Sequence, residues 1–131
     1  MNGARRGCQV VICDDHAEFR QVIGVLLSRD PDIEVVGEAV DGRDAIRIVG
    51  QLRPDVLLLD IAMPVMDGLE ALPHIRESSP ETQVVMFTGV VAESVKQRAL
   101  EGGACLFIEK GTDGEVVVGQ IKDVCRQPLQ V

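Results

Sequence analysis

Apolar positions along the chain alternate between two periods. Cys8 to Cys13 is short, apolar and β-branched, and predicts a buried strand. After Asp14-Asp15, the residues Phe19, Val22, Ile23, Leu26 and Leu27 recur at the spacing of one helix face, and Asp30-Pro31 stops that helix. Ile33 to Ala39 predicts a second strand. Asp41-Gly42 follows, and Ala45, Ile48, Val49 and Leu52 give a second helical stripe that ends at Arg53-Pro54. Asp55 to Asp60, "DVLLLD", predicts a third strand whose lack of alternation fits a sheet covered on both faces. Leu69, Leu72 and Ile75 predict a third helix, with Pro73 inside it implying a kink or a late start. Gln83 to Thr88 reads as the fourth strand. Ala92, Val95, Ala99 and Leu100 mark a fourth helix ending at Gly102-Gly103. Cys105 to Lys110 is the fifth strand, and Thr112-x-x-Glu115 has the form of a capping box. Val117, Val118, Ile121, Val124 and Cys125 give the last stripe, closed by Pro128.

Strict alternation of strand and helix, with no linker or repeat, argues for an α/β domain: a five-stranded parallel sheet, doubly wound. Such sheets hold their sites at the C-terminal ends of the strands, near the point where strand order reverses. The length of 131 residues suits one domain with one core. A net charge of −8 repels phosphate backbones, so direct nucleic-acid binding by this domain is not expected. No apolar run is long enough to span a membrane, and no apolar segment follows the N-terminal arginines as a secretion signal requires. Cys8, Cys13, Cys105 and Cys125 have no metal-binding spacing and are expected to be reduced structural thiols in a cytoplasmic setting.

The strand ends carry the candidate chemistry. Asp14-Asp15 closes the first strand, Asp60 the third, Thr88 the fourth and Lys110 the fifth. Any one of these could be a polar residue reaching solvent; the joint placement is harder to explain that way. Close carboxylates repel, so they need a cation or a proton. Oxygen ligands without His or Cys favour a hard ion, Mg²⁺ or Mn²⁺, which keeps coordination sites for phosphate oxygens. Carboxylate, divalent ion, lysine and hydroxyl together form a set suited to phosphoryl transfer.

On these residues the chain resembles the receiver domain of two-component response regulators. "VVICDDH", "LLLDIAMPVMDG", "MFTG" and "GACLFIEKG" occur in the family's order, from about Gln9 to about Arg126. "DGLEAL" and Lys110-Gly111 look most like receivers that precede a helix-turn-helix output domain. The resemblance implies a flavodoxin-like fold with strand order 2-1-3-4-5. The whole of 1–131 would be a single receiver domain (core about 9–126), with no output domain in this chain. Asp60 would be the phosphoacceptor. Asp14, Asp15, Asp60 and the Ala62 backbone carbonyl would surround Mg²⁺, Lys110 would pair with the phosphoryl group, and Thr88 would swing in to bond it. Phe107 would follow as the switch aromatic.

The same resemblance implies a sensor histidine kinase as phosphoryl donor and a switch in the face of helix four, strand five and helix five. That face would control an output or a homodimer formed on phosphorylation, with transcriptional regulation if a DNA-binding domain follows. The domain would be a phosphoacceptor that catalyses its own phosphorylation and dephosphorylation, not an enzyme with a separate substrate. His16 would begin the first helix and His74 would be a solvated helix residue. Gly111 stands where many receivers have proline, loosening the loop that presents Lys110. Phe107 lacks the hydroxyl of the tyrosine common there. Ala62 and Val90 are both apolar, so neither side chain can orient a water and slow autodephosphorylation is expected. Two alternatives stay open: a stand-alone receiver acting by partner binding, and an aspartyl-nucleophile phosphatase. The second fits poorly, because those enzymes use a D-x-D pair on the first strand, whereas Asp14 and Asp15 are adjacent. A nucleotide-binding domain would need a glycine-rich turn where "DDHAEF" stands.

Overall fold

The structure, a computed structural model, describes residues 7–89 and 92–126. Five strands alternate with five helices: β1 (Cys8–Cys13), α1 (Ala17–Ser28), β2 (Ile33–Ala39), α2 (Gly42–Leu52), β3 (Val56–Leu59), α3 (Gly68–Ser78), β4 (Gln83–Thr88), α4 (Glu93–Glu101), β5 (Leu106–Glu109) and α5 (Gly114–Arg126). All pairings are parallel, in the order β2-β1-β3-β4-β5. This is the doubly wound, flavodoxin-like order that the sequence and its resemblance imply.

Two cores cover the two faces of the sheet, because successive strand residues point to opposite sides. Val10, Ile12, Val56, Leu58, Val85 and Phe87 meet Ile23 and Leu27 of α1 and Val117, Ile121 and Val124 of α5. Val11, Cys13, Leu57, Leu59, Val84 and Met86 meet Ala45, Ile48 and Val49 of α2, Leu72 and Ile75 of α3, and Ala99 of α4. Every residue of β3 is buried, so its unbroken apolar run serves both cores at once. A polar cluster ties the other end of the sheet: Thr82 Oγ1 donates to the Pro54 carbonyl at 2.7 Å and lies 2.7 Å from Ser79 Oγ.

Several local expectations change. α3 begins at Gly68 and carries exposed Pro73 within it, so the helix does not start late. Its start is set instead by a capping box of Asp67 and Glu70. The box expected at Thr112 does not form: Asp113 accepts from the Glu115 N–H at 2.9 Å, while the Thr112 hydroxyl donates back to the Glu109 carbonyl at 2.7 Å. Val22, expected on the apolar face of α1, is 65% exposed. Leu52 and Leu100 also stand partly in solvent, each at the end of its helix, where the sheet no longer covers them. Pro128 and Val90 lie outside the described residues.

The cysteines depart furthest from expectation. Cys8 and Cys125 form a disulfide between the start of β1 and the end of α5, with Cα atoms 5.9 Å apart. Cys13 and Cys105 are free. The pairing joins positions 117 residues apart, which no local spacing announces. Among the described residues no helix is long and apolar enough to cross a membrane.

Candidate functional site

The parallel ladder continues one residue past the strands and fixes the site's backbone. Asp14 N–H bonds the Ala39 carbonyl at 3.0 Å, Asp60 N–H the Cys13 carbonyl at 3.1 Å, and Lys110 N–H the Thr88 carbonyl at 2.8 Å. Cys13 pairs with Leu59 across β1 and β3, so Asp14 and Asp60 are neighbours in register. Arg20, reaching from α1, adds a bond from its guanidinium to the Asp14 carbonyl at 2.8 Å and one to Glu38 Oε1 at 2.8 Å.

Lys110 closes the cluster. Its Nζ stands 2.6 Å from Asp14 Oδ2 and 3.1 Å from Asp60 Oδ2, and 4.3 Å from the ring centroid of Phe19. The ring face adds a favourable site for the ammonium on its apolar side. Asp14 is 1% exposed and Asp60 3% exposed, so both carboxylates depend on these partners. Burial pushes the Asp60 carboxyl above its ordinary range; Thr88 and Lys110, through hydrogen bonds and charge, pull against that rise, and nearby Asp14 adds to it. Burial would raise Asp14 as well, but the Lys110 ammonium and the His16 backbone N–H outweigh it and hold that carboxyl low. Burial would lower Lys110, yet its bonds to Asp14 and Asp60 hold it high.

Asp14, Asp15, Asp60, Thr88 and Lys110 thus gather at one edge, as expected. Thr88 is fully buried beside Asp60. Ala62 is exposed just beyond Asp60, and half-buried Phe107 packs against the core on the α2–α4 side. His74 is an exposed residue of α3, and His16 stands at the start of α1, both as expected. Gly111 has φ +100°, a conformation that the fixed φ of proline cannot reach.

The acidic set fits a divalent cation. Asp15 Oδ1 is buried without a hydrogen bond; the His16 ring nitrogen stands 3.2 Å away without bonding it. An orphaned carboxylate oxygen of this kind is the acceptor that a hard cation satisfies. Asp14, Asp15 and His16 bring ligand atoms within 4.8 Å of one another, whereas Lys110 bridges Asp60 to Asp14. The turn after β1 folds the His16 ring back over the pair, so an imidazole nitrogen joins a set expected to offer oxygen ligands alone.

Four contributors were missed in the sequence. Arg20 and Phe19 act from α1, where a helix stripe says nothing of contacts across the sheet edge. Gly68 lies so close that a Cβ there would overlap the Asp60 carbonyl. Met63 packs its sulfur 3.5 Å from the thiol of Cys13, which also donates to the Asp41 carbonyl at 3.3 Å. Burial, then the Asp41 carboxylate, push that thiol far up, so Cys13 is no competing nucleophile.

A model of the response regulator receiver domain family matches residues 10–122. The chain is 42% identical over 106 residues to a protein-glutamate methylesterase/protein-glutamine glutaminase of Nocardioides sp., covering 79% of this chain and 29% of that protein. It is 38% identical over 114 residues to the response regulator protein VraR of Staphylococcus epidermidis, covering 87% of this chain and 54% of that one. The crystal structure of a LuxR-family DNA-binding response regulator from Staphylococcus aureus superposes with a TM-score of 0.84 at 27% identity, over 91% of this chain and 99% of that one. The chain therefore spans about a quarter to a half of the length of these two curated relatives.

Proposed function

Since the chain belongs to the response regulator receiver domain family, we propose that it is a signalling switch that accepts a phosphoryl group on Asp60. One observation carries this reading. Asp60 is 3% exposed at the end of central β3 and is bonded by Lys110, which also holds Asp14. A carboxylate kept there at such cost is suited to being modified.

An Asp60 oxygen attacks phosphorus of a phosphohistidine on a sensor kinase. The O–P bond forms, the N–P bond breaks, and the imidazole leaves with the electron pair. Asp14 and Asp15 would hold Mg²⁺ or Mn²⁺, with Asp60 and the Ala62 carbonyl turned to the same ion; when bound, the metal supplies positive charge to the phosphoryl oxygens. Lys110 gives up its bond to Asp60 and pairs with the new oxygens, while the Thr88 hydroxyl donates to one of them. The added charge biases how Thr88 and Phe107 pack, and so the face of α4, β5 and α5.

The domain works in the cytoplasm in this reading, and homodimerisation through that face is one readout. A helix-turn-helix output and transcriptional control are supported by the LuxR-family neighbour. A different output is supported by the methylesterase relative. The length and sequence of the whole protein decide between them.

Incubation with Mg²⁺ and a small phosphodonor, followed by intact mass, tests the proposal. The mass rises by one phosphoryl group, and neither Asp60→Asn nor the chelated wild type is labelled. Labelling that persists in Asp60→Asn overturns the assignment. Followed over time, the same label decays slowly; a lifetime of seconds removes the role given to Ala62 and Val90.

A further inference from the structure

The end of β1 remote from Asp14 carries a second chemistry. Cys8 opens β1, Cys125 stands in the last turn of α5, and the disulfide joins them. The strand between Cys8 and Asp14 separates the bond from the carboxylates by about 20 Å, at ~3.3 Å per residue. The two sulfurs are unequally placed. Cys8 is 6% exposed and belongs to the core beneath α1 and α5. Cys125 is half-buried, and the bond borders an open groove of about 380 Å³ lined also by Gly7, Pro31, Asp32, Lys122 and Arg126.

α5 does not depend on this bond for its place. Val117, Ile121 and Val124 are in the core, Gln83 Nε2 donates to the Val124 carbonyl at 2.9 Å, and Lys122 Nζ bonds Asp30 at 3.1 Å. Opening the bond therefore leaves α5 seated, since these contacts reach into the turn that carries Cys125.

We propose that Cys8 and Cys125 form a reversible thiol–disulfide site, opened by a small thiol reaching Cys125 through this groove. The incoming thiolate attacks the Cys125 sulfur, and the Cys8 sulfur leaves with the electron pair and takes a proton. A second external thiol displaces Cys125 from the mixed disulfide. Two external thiols become one external disulfide, and two protein thiols are formed. A small disulfide drives the reverse reaction. The pair is open in a reducing compartment and closed in an oxidising one. This site stands apart from the phosphoacceptor, so its test needs no phosphodonor.

The native chain is equilibrated with a small thiol or with the corresponding disulfide, denatured, alkylated and weighed. A chelator is present throughout, because Asp55 lies within 4.8 Å of both sulfurs and the three could hold a thiophilic ion. The reduced chain takes four labels. The oxidised chain takes two, on Cys13 and Cys105, and yields a joined Cys8–Cys125 peptide. Returning the native oxidised chain to thiol restores four. Oxidation also raises the Tm by roughly 10 °C, the scale for closing a loop of this length. Cys125→Ser and Cys8→Ala each remove that response, so one that folds suffices. Four labels under both conditions, a different pairing, or a bond that excess thiol cannot open in the native chain overturns the proposal.

Discussion

Lys110 holds two buried carboxylates with one ammonium, and that unequal arrangement shapes how the site responds to change. Lys110→Ala leaves Asp14 and Asp60 facing each other without a cation. Breaking a fully buried pair costs about 3–5 kcal/mol. The Lys110 side chain is 23% exposed, so a loss of about 2 kcal/mol is expected in urea denaturation. Mg²⁺ then raises the Tm of Lys110→Ala more than that of the wild type, because the ion takes over a role the ammonium held. Equal shifts would show that lysine and metal do not share the carboxylates. Asp60 and Lys110 were legible as residues, since an apolar strand that ends on a charge stands out in one dimension. Their bond was not, because 50 residues separate them.

The connection from β3 to α3 shows how an element can impose demands its sequence hides. Asp67-Gly68 reads as a turn, yet Gly68 is needed for space: its N–H bonds the Ile61 carbonyl at 2.9 Å, and a side chain would strike the Asp60 backbone. Gly68→Ala should cost about 3 kcal/mol, at the upper end for overpacking, and slow phosphorylation by displacing the acceptor. Asp67→Ala in the same box loses only a cap, about 1 kcal/mol, and leaves Asp60 in place. Denaturation and labelling of both variants separate the two effects; if Gly68→Ala is as mild as Asp67→Ala, the close approach is not a constraint. Val65 has φ +69° and is 76% exposed, so this loop also holds a β-branched residue in a strained turn. The helical stripes were legible because each follows a 3.6-residue period. The cap of α5 was misread because Thr112 and Asp113 both suit the position, and the bond back to Glu109 chose between them.

Across the whole molecule, the charged edge sets the pH dependence. The Asp14 carboxyl is held below its ordinary 3.8, so its stabilisation is present above that value and is lost as pH falls through the lower, folded-state one. Asp60 is raised and opposes this: it takes up a proton first, and relieves a cost carried at neutral pH. Lys110 is raised above 10.5, so its contribution is complete below that pH and disappears as pH rises through the folded-state value. Urea denaturation across pH should show an alkaline loss that is smaller in Lys110→Met, where the buried Cys13 thiol still supplies part of it, and Asp60→Asn should be more stable than wild type near neutrality. An alkaline limb unchanged in Lys110→Met would place that dependence elsewhere.

The amino-acid sequence by itself determined the alternation of strand and helix, the parallel class of the sheet and the polar residues at its edge. Each of these follows from periodicity or from the end of an apolar run, which are local properties. The resemblance of its motifs then implied the strand order and the role of each edge residue. Only the tertiary structure decided which residues meet. Lys110 lies between Asp14 and Asp60 because β5 and β1 flank the β3–β4 pair from opposite sides, and Cys8 meets Cys125 because α5 returns across the start of β1. Such contacts arise from the packing of distant segments, and a chain read in order carries no signal for them.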